Sequence, residues 1–255
     1  MKKLLALLMA LAMVFALVAC GGEKTEEVTE EVTEAAVLVM GTNAAFPPYE
    51  MVDENGAIIG IDAEIAAAVA EKMGMTLEIK DMAFDSLITA VSSGAVDVVL
   101  AGMTVTEERM EAVNFSDSYA KGIQVVIVTE GSEIATIDDL AGKKIGVQTG
   151  TTGDIYCSGD YGEEAIARYD NGAIAVQALQ NGQVDCVVID NEPAKAFVAA
   201  NEGLTILETE YITENYAAAF AKENTELLDA FNAALAELIA DGTIDTIIGK
   251  YIKAE

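Results

Sequence analysis

The chain has 255 residues, of which 52% are hydrophobic, and its formal net charge at pH 7 is −29, from 43 acidic against 14 basic residues. Phosphate binding needs a basic patch, so this surplus of acid argues against nucleic acid as a partner. The sequence contains no histidine, which removes the commonest general base and the commonest metal ligand. We therefore expect no metal site and no cofactor.

The N-terminus has the pattern of an export signal, which we predict over residues 1–19. Two lysines precede an apolar run from Leu4 to Ala19 that is too short for a membrane span. The run ends with small residues before Cys20, and this pattern resembles the lipobox of bacterial lipoproteins. The resemblance implies a lipid on Cys20 and an extracytoplasmic protein anchored to the cell membrane. An ordinary secretory signal with an incidental cysteine is the alternative.

Residues 20–35 are predicted to form an acidic tether. The stretch from 21 to 36 repeats Thr-Glu-Glu-Val and carries six glutamates against one lysine. These charges repel one another and the segment buries nothing, which favours an extended chain. A short helix is the alternative, although the segment has no apolar stripe.

Strand-like and helix-like segments alternate from residue 36 onward. In the first half, an Asn-Gly pair between two apolar runs predicts a hairpin. This half is predicted to contain a strand at 37–41, a hairpin joining 49–52 to 58–59, a helix at 61–73, a strand at 77–80, a helix capped by Asp85 and ending at 91, and a strand at 96–100.

The second half continues the alternation. It is predicted to contain strands at 124–128, 144–148, 186–189 and 216–220, and helices at 137–140, from 150 onward, and at 173–179, 192–200, 225–240 and 244–251. Such alternation indicates parallel sheets in an α/β architecture. Ligands of these sheets bind at the carboxyl ends of the strands, beside helix N-termini.

Five sequence blocks resemble, in order and spacing, the bacterial solute-binding proteins of family 3, which bind polar amino acids. They are GIDAEI at 60–65, DVVLAGMTVTEER at 97–109, NFSDSY at 114–119, GKKIGVQTGTT at 142–152 and VVID at 187–190. The first block departs from the usual family pattern, which has an aromatic residue at the position of Ile61. The resemblance covers essentially everything after residue 36.

The resemblance implies an α/β fold of the type II periplasmic-binding-protein kind, with two lobes joined by two crossover hinge strands and a ligand cleft between the lobes. The hinges are expected near residues 121–124 and 213–216. Lobe one is then residues 36–122 plus 214–255, and lobe two is residues 123–213. It also implies a non-enzymatic substrate-binding component of an ABC importer, which hands a free amino acid to an ABC permease in the membrane. We expect this component to be a monomer.

A free amino acid carries a carboxylate and an ammonium, and a cleft that excludes water must pair both. Arg109 is the expected carboxylate partner, because its planar guanidinium can bond both oxygens. By resemblance to the family, Asp190 pairs with the ammonium, although it could instead cap the helix that follows it. Gly102 and Thr104 are expected to add a carbonyl and a hydroxyl or amide.

The start of the helix predicted after residue 150 is a second candidate contact for the carboxylate. Thr151 and Thr152 stand at this start, and the free backbone N–H groups of a helix N-terminus suit an anion. Thr151 can also serve as the helix cap, and the two roles are compatible.

The surroundings of the ligand side chain are predicted from the resemblance. Phe46 and Phe84 match the aromatic positions that enclose the ligand side chain in this family. Asn43 stands where relatives that bind cationic amino acids often carry aspartate, and Gln148 is also neutral. We therefore predict a neutral polar ligand such as glutamine or cystine.

Two other functions fit the same fold. A secreted dehydratase would need a placed general acid, yet the sequence has no histidine and no carboxylate pair beyond Asp190. A sensory amino-acid-binding module would normally continue into a transmembrane and signalling region, whereas this chain ends at Glu255.

Besides Cys20, the chain has two cysteines, Cys157 and Cys186. Outside the cytoplasm they could form a disulfide. We favour two unpaired thiols that act as small buried hydrophobes.

Overall fold

A computed structural model describes residues 35–208 and 210–253. The predicted signal peptide at 1–19, the predicted lipidation site Cys20 and the predicted tether up to residue 34 lie outside the described residues. Within the described part of the chain, no helix is both long and apolar enough to span a membrane.

The described residues form twelve strands and eight α-helices. The strands are β1 (Val37–Thr42), β2 (Ala45–Phe46), β3 (Glu50–Val52), β4 (Ile58–Ile59), β5 (Thr76–Asp81), β6 (Val98–Val99), β7 (Val113–Thr129), β8 (Ile145–Gln148), β9 (Ile166–Tyr169), β10 (Cys186–Asp190), β11 (Leu204–Ile206) and β12 (Ile212–Ala221). The helices are α1 (Ile61–Lys72), α2 (Leu87–Ser92), α3 (Glu107–Ala112), α4 (Thr152–Tyr161), α5 (Gly172–Gln180), α6 (Asn191–Ala200), α7 (Thr225–Ala240) and α8 (Thr243–Tyr251). Short 3₁₀ turns cover Phe84–Ser86, Ile137–Leu140 and Glu163–Ala165.

The main sheet consists of two parallel halves. In one half β1 pairs in parallel with β5 and β6, and in the other β8 pairs in parallel with β9 and β10. Between the halves lie β12 and β7, which pair antiparallel with each other and with the flanking strands β6 and β10. The strand order is β5-β1-β6-β12-β7-β10-β8-β9, and β11 pairs with β7. This arrangement confirms the predicted two-lobe α/β fold with two crossover strands.

The two crossover strands are long and lie side by side. β7 has 17 residues and β12 has 10, and their antiparallel ladder extends to Gln124 opposite Ile212. The predicted hinge segments 121–124 and 213–216 face each other within this ladder. The limits given above for lobe one and lobe two stay a prediction.

The cores of the two halves are built from alternating strand residues under the helices. Leu38 and Met40 of β1 belong to one buried cluster with Ile65 of α1 and Leu235 of α7. In the other half, Val147 of β8 belongs to a separate buried cluster that extends to α4 and β10. The first cluster also includes Val187 and Ile189 of β10, so the packed core continues from one half of the sheet into the other.

The two cysteines Cys157 and Cys186 lie in the core of the second half. Both are free thiols that are fully buried in the same apolar cluster. Burial raises the pKa of each thiol to about 12, so both are neutral, small apolar groups at physiological pH.

One predicted local structure is confirmed and another is wrong. The hairpin is present: β3 and β4 pair antiparallel, and the Asp53 carboxylate in its loop accepts the backbone N–H groups of Asn55 and Ala57 at 2.8 Å each. The prediction that Asp85 caps a helix is wrong, because Asp85 lies inside a 3₁₀ turn that begins one residue before it. The helix α2 then begins at Leu87 with no side-chain cap.

Candidate functional site

One cavity brings together every residue that the sequence predicts to contact a ligand. Its lining atoms surround about 300 Å³ of empty space, part of which is open to solvent. The lining residues are Asn43, Phe46, Phe84, Ala101, Gly102, Thr104, Arg109, Gln148, Thr151, Thr152 and Asp190. All of these except Ala101 were predicted.

The lining residues form two walls, one from each half of the sheet. Most of them stand just past the carboxyl ends of parallel strands, where α/β sheets place their ligands. The first wall is formed by β2, by α3 and by the segments that follow β1, β5 and β6. It consists of Asn43, Phe46, Phe84, Ala101, Gly102, Thr104 and Arg109. The second wall is formed by the last residues of β8 and β10 and by the start of α4. It consists of Gln148, Thr151, Thr152 and Asp190.

Arg109 is the one cation among the residues that line the cavity. It lies in the first turn of α3, where the N-cap residue Thr106 accepts its backbone N–H at 3.1 Å. The residue is only 8% exposed, and its Nη1 and Nη2 donate to the carbonyls of Thr104 at 2.8 Å and Gly150 at 3.1 Å. Its guanidinium carbon is 5.4 Å from the ring centroid of Phe84, a cation–π distance. Burial lowers the pKa of Arg109, but a guanidinium remains charged at neutral pH.

Asp190 is the one carboxylate among the lining residues. It ends β10, is 6% exposed, and accepts a hydrogen bond from the hydroxyl of Tyr216. It occupies the N-cap position of α6 but makes no side-chain capping bond. Burial, helped by the negative charge of nearby Glu214, raises the pKa of Asp190 to about 7. A carboxyl group that burial penalises in this way is typical of a position that receives a cation.

A buried carboxylate behind the cavity connects the two walls. Glu214 is 4% exposed, and its Oε2 accepts hydrogen bonds from Thr104 Oγ1 at 3.1 Å, Thr152 Oγ1 at 3.0 Å and Gln124 Nε2 at 2.9 Å. Its other oxygen, Oε1, has no hydrogen-bond partner among the described residues. Thr104 belongs to the first wall and Thr152 to the second, so Glu214 holds a polar contact across the cleft.

The loop before α4 brings the amino end of this helix to the cavity. Thr151 caps the helix through a hydrogen bond from the backbone N–H of Asp154 at 3.4 Å, and Thr152 is the first helical residue. Asp154 also accepts the backbone N–H of Gly150 at 3.0 Å and both of its oxygens accept Arg168 Nε at 2.9 Å. The first N–H groups of a helix have no intrahelical acceptor, and they favour an anion.

The aromatic part of the first wall requires a glycine. Gly102 has a φ of +53°, and a Cβ on it would lie 2.7 Å from the ring of Phe46. Its backbone N–H donates to Asp62 Oδ2 at 2.8 Å, so the carbonyl oxygen is the group that Gly102 can offer to a ligand. Phe46 and Phe84 both line the cavity.

Two neutral amides form the remaining polar part of the lining. Gln148 Nε2 donates to Asn43 Oδ1 at 3.0 Å, and Asn43 Nδ2 donates to the carbonyl of Met82 at 2.9 Å. The Gln148–Asn43 bond joins the second wall to the first. No lining residue other than Asp190 carries a negative charge.

Sequence reasoning missed the residues that support the cavity from behind. Glu214, Gln124 and Tyr216 lie on the crossover strands, and their side chains bond to lining residues. The only available signal was their place in the predicted hinge segments. Nothing in the sequence distinguishes Glu214 from the other acidic residues, which number 43 together with it.

The sequence pattern of the bacterial extracellular solute-binding proteins, family 3, matches residues 38–254. The chain belongs to this family. Members of family 3 are non-enzymatic solute-binding proteins of ABC transporters, so this solute-binding protein is not an enzyme. Among the described residues, no cluster of three or more His, Cys, Asp or Glu side chains could hold a metal ion.

Known family 3 proteins resemble the chain over nearly its whole length. A probable histidine-binding protein of Neisseria gonorrhoeae is 33% identical over 93% of this chain and 91% of its own length. The arginine-binding extracellular protein ArtP of Bacillus subtilis (strain 168) is 35% identical over 100% of both chains. A solved structure of an ancestral arginine-binding protein bound to glutamine is 41% identical and superposes with a TM-score of 0.82, covering 87% of this chain and 100% of its own.

Proposed function

We propose that this solute-binding protein captures a polar amino acid with a neutral side chain, such as glutamine or cystine, and delivers it to an ABC permease. One observation carries the proposal: a single cavity presents one buried cation, Arg109, and one buried carboxylate, Asp190, on opposite walls. A zwitterionic amino acid supplies the matching carboxylate and ammonium on one carbon.

The ligand carboxylate binds between Arg109 and the amino end of α4. The guanidinium already donates to the carbonyls of Thr104 and Gly150, so it is held in place by the protein before a ligand enters. A planar guanidinium can add bonds to a carboxylate, and the first N–H groups of α4 at Thr152 favour the same anion.

The ligand ammonium binds to acceptors from both walls. Asp190 supplies a carboxylate, Gly102 supplies its carbonyl oxygen, and Thr104 supplies a hydroxyl oxygen. An ammonium has three donors and no acceptor, so it suits such a set of acceptors.

The side-chain end of the cavity supports a neutral polar ligand. Phe46 and Phe84 offer apolar faces, and Asn43 and Gln148 offer amide groups without charge. Because the charges of Arg109 and Asp190 match the two charges of one zwitterion, a side chain with a net charge would have no lining partner. The second half of cystine carries an ammonium and a carboxylate and so has no net charge. The solved ancestral arginine-binding protein with glutamine bound is consistent with such a ligand.

A thermal-shift screen of the twenty amino acids and cystine tests this function. A ligand that binds only the folded state raises the melting temperature, and we expect glutamine or cystine to give the largest shift. If arginine or histidine gives the largest shift, the proposed side-chain preference is wrong and amino-acid binding stands. If no amino acid shifts the melting temperature, the proposal fails.

We further propose that the protein is a monomer anchored outside the cytoplasm by a lipid on Cys20. The support is the apolar run that ends in small residues at this cysteine. In cells fed with a labelled fatty acid, we expect label on the wild-type protein and on a Cys157→Ala variant but not on a Cys20→Ala variant, which should also leave the membrane fraction. Membrane retention of the Cys20→Ala variant would contradict the anchor, and a dimer in light scattering would contradict the monomer.

A further inference from the structure

We infer that Glu214 is a positioning residue that makes the cavity selective for an ammonium, because it turns the hydroxyls of Thr104 and Thr152 into hydrogen-bond acceptors. The inference rests on the proposed amino-acid binding and explains how the same site recognises one end of its ligand. Glu214 does not line the cavity, so it acts only through side chains that do.

The direction of the two hydroxyl protons follows from hydrogen-bond chemistry. A hydroxyl has one proton to donate and two lone pairs, whereas a carboxylate only accepts. Thr104 Oγ1 and Thr152 Oγ1 lie 3.1 Å and 3.0 Å from the same oxygen of Glu214. Each hydroxyl therefore donates its proton to Glu214 and has only lone pairs left for the cavity.

Gln124 reinforces this direction. Its amide nitrogen Nε2 donates to Glu214 Oε2 at 2.9 Å and lies 3.4 Å from Thr152 Oγ1. Since Thr152 accepts from Gln124 on one side, its own proton points to Glu214. The hydroxyl oxygens of Thr104 and Thr152 thus join the carboxylate of Asp190 in a set of acceptors that suits a group with donors only.

The burial of Glu214 indicates a functional role. The side chain is 4% exposed, and its Oε1 has no hydrogen-bond partner among the described residues. Such an atom costs stability, because a buried acceptor without a partner loses its bonds to water. The negative charge of Glu214 also acts on the buried guanidinium of Arg109, whose pKa it raises against the effect of burial. Glu214 therefore lies beside the cation of the cavity as well as two of its hydroxyls, which supports a role in ligand recognition.

The position of Glu214 also links ammonium recognition to the closed arrangement of the two walls. It lies on the crossover strand β12, opposite Gly122 of β7. Thr104 comes from the first wall and Thr152 from the second, so both hydroxyls reach the same oxygen only when the walls are together. The acceptor set is therefore complete in the arrangement that encloses a ligand.

The isosteric variant Glu214→Gln tests the inference. Its amide oxygen is uncharged and offers two lone pairs to the three donors that meet at Glu214 Oε2, so the threonine protons are held less firmly and one can turn toward the ammonium. In thermal-shift titrations with an equimolar mixture of the twenty amino acids and cystine, we expect the half-maximal concentration to rise about tenfold or more.

The control variant is Glu223→Gln, which removes the same charge from an exposed residue just after β12 and should leave the titration unchanged. A double-mutant cycle with Thr104→Val then separates positioning from general structural damage. If Glu214 acts through the hydroxyls, the double variant loses clearly less amino-acid affinity than the product of the fold-losses of the two single variants. Independent, multiplicative losses would overturn the inference.

The remaining outcomes are also decisive. If the Glu214→Gln variant gives the same titration as the wild type, the inference is overturned. If the amino-acid mixture does not shift the melting temperature of the wild type, the proposed function itself is overturned. If Glu214→Gln does not fold, the single variants Thr104→Val and Thr152→Val decide in its place. Each removes one acceptor hydroxyl from an intact Glu214 site, and unchanged titrations in both would refute an acceptor role for these hydroxyls.

Discussion

The two walls of the cavity are built alike but carry opposite chemistry. Both stand at the carboxyl ends of parallel strands, β1 and β6 in the first wall and β8 and β10 in the second. The first wall holds the cation Arg109 and the aromatic rings, and the second holds the carboxylate Asp190 and the amino end of α4. Either wall alone would leave one charged end of an amino acid without a full set of partners. Binding is therefore a property of the two walls together.

This division explains how a ligand can favour a closed arrangement. Arg109 already donates to Gly150 across the cleft, and Gln148 donates to Asn43. A ligand that bridges both walls adds contacts that an open cleft lacks, and this difference in affinity shifts the population toward closure. The paired crossover strands β7 and β12 are the segments that such a motion would bend.

The largest expected effect comes from removing the charge of the first wall. We predict that Arg109→Ala weakens amino-acid binding by about 3 kcal/mol or more, because truncating one partner of a desolvated charge pair leaves the other unpaired. Isothermal titration calorimetry with the amino acid identified in the screen measures the change. The fold should survive, since the backbone of Arg109 in α3 keeps its cap on Thr106.

Two further variants show that the effect belongs to this guanidinium. Arg109→Met keeps an apolar stem against Phe84 and should bind as weakly as Arg109→Ala, whereas Lys80→Met removes a cation from an exposed position and should bind normally. Near-native affinity of both Arg109 variants would remove Arg109 from the site.

The second prediction concerns the charge of the second wall. Burial raises the pKa of Asp190 to about 7, so its carboxyl group is neutral below this pH and ionised above it. Only the ionised form pairs with an ammonium. We therefore predict that affinity is highest near pH 8 and falls as pH decreases through 7, by up to about tenfold per pH unit, because binding then releases one proton.

The variant Asp190→Asn provides the control for this titration. It should bind weakly at every pH, and the change in affinity between pH 8 and pH 6 should disappear. Calorimetry in buffers of different ionisation enthalpy would also detect the released proton in the wild type. A wild type and variant with parallel pH profiles would show that another group titrates.

The fold was predictable where the pattern is local. The sequence predicted α7 with its observed bounds and the hairpin of β3 and β4, because helical periodicity and turn residues act over a few positions. It missed α3 and the part of β7 before residue 124. The strand β7 pairs along its length with β12 at a sequence distance of about a hundred residues, and no local pattern reports such a partner.

The residues that line the cavity were predictable, whereas the residue that supports them from behind was not. The family resemblance placed ten residues that the structure collects around one cavity. It gave no signal for Glu214, whose position behind Thr104 and Thr152 depends on how the crossover strand β12 passes under both walls. A contact that needs three distant segments to meet is a property of the tertiary structure.

The smallest expected effect comes from the amide bond between the walls. Gln148→Met keeps the length of the side chain but removes the donor to Asn43 Oδ1, now 3.0 Å away. A neutral hydrogen bond contributes about 0.5–1.5 kcal/mol, so we predict an affinity loss of a few-fold, mainly as faster dissociation in stopped-flow measurements, since the bond is made only when the walls meet. Gln177→Met, an exposed position on α5, is the matched control, and the amino acid should dissociate from it as fast as from the wild type.

Small-angle X-ray scattering tests whether the walls close around the ligand. We expect a saturating concentration of the amino acid to reduce the radius of gyration of the wild type. The Gln148→Met variant should reach the same compact value only at a higher concentration of the amino acid. If the amino acid binds tightly and the radius of gyration does not change, closure is not part of binding, and the Gln148–Asn43 bond is a fixed contact of a rigid site.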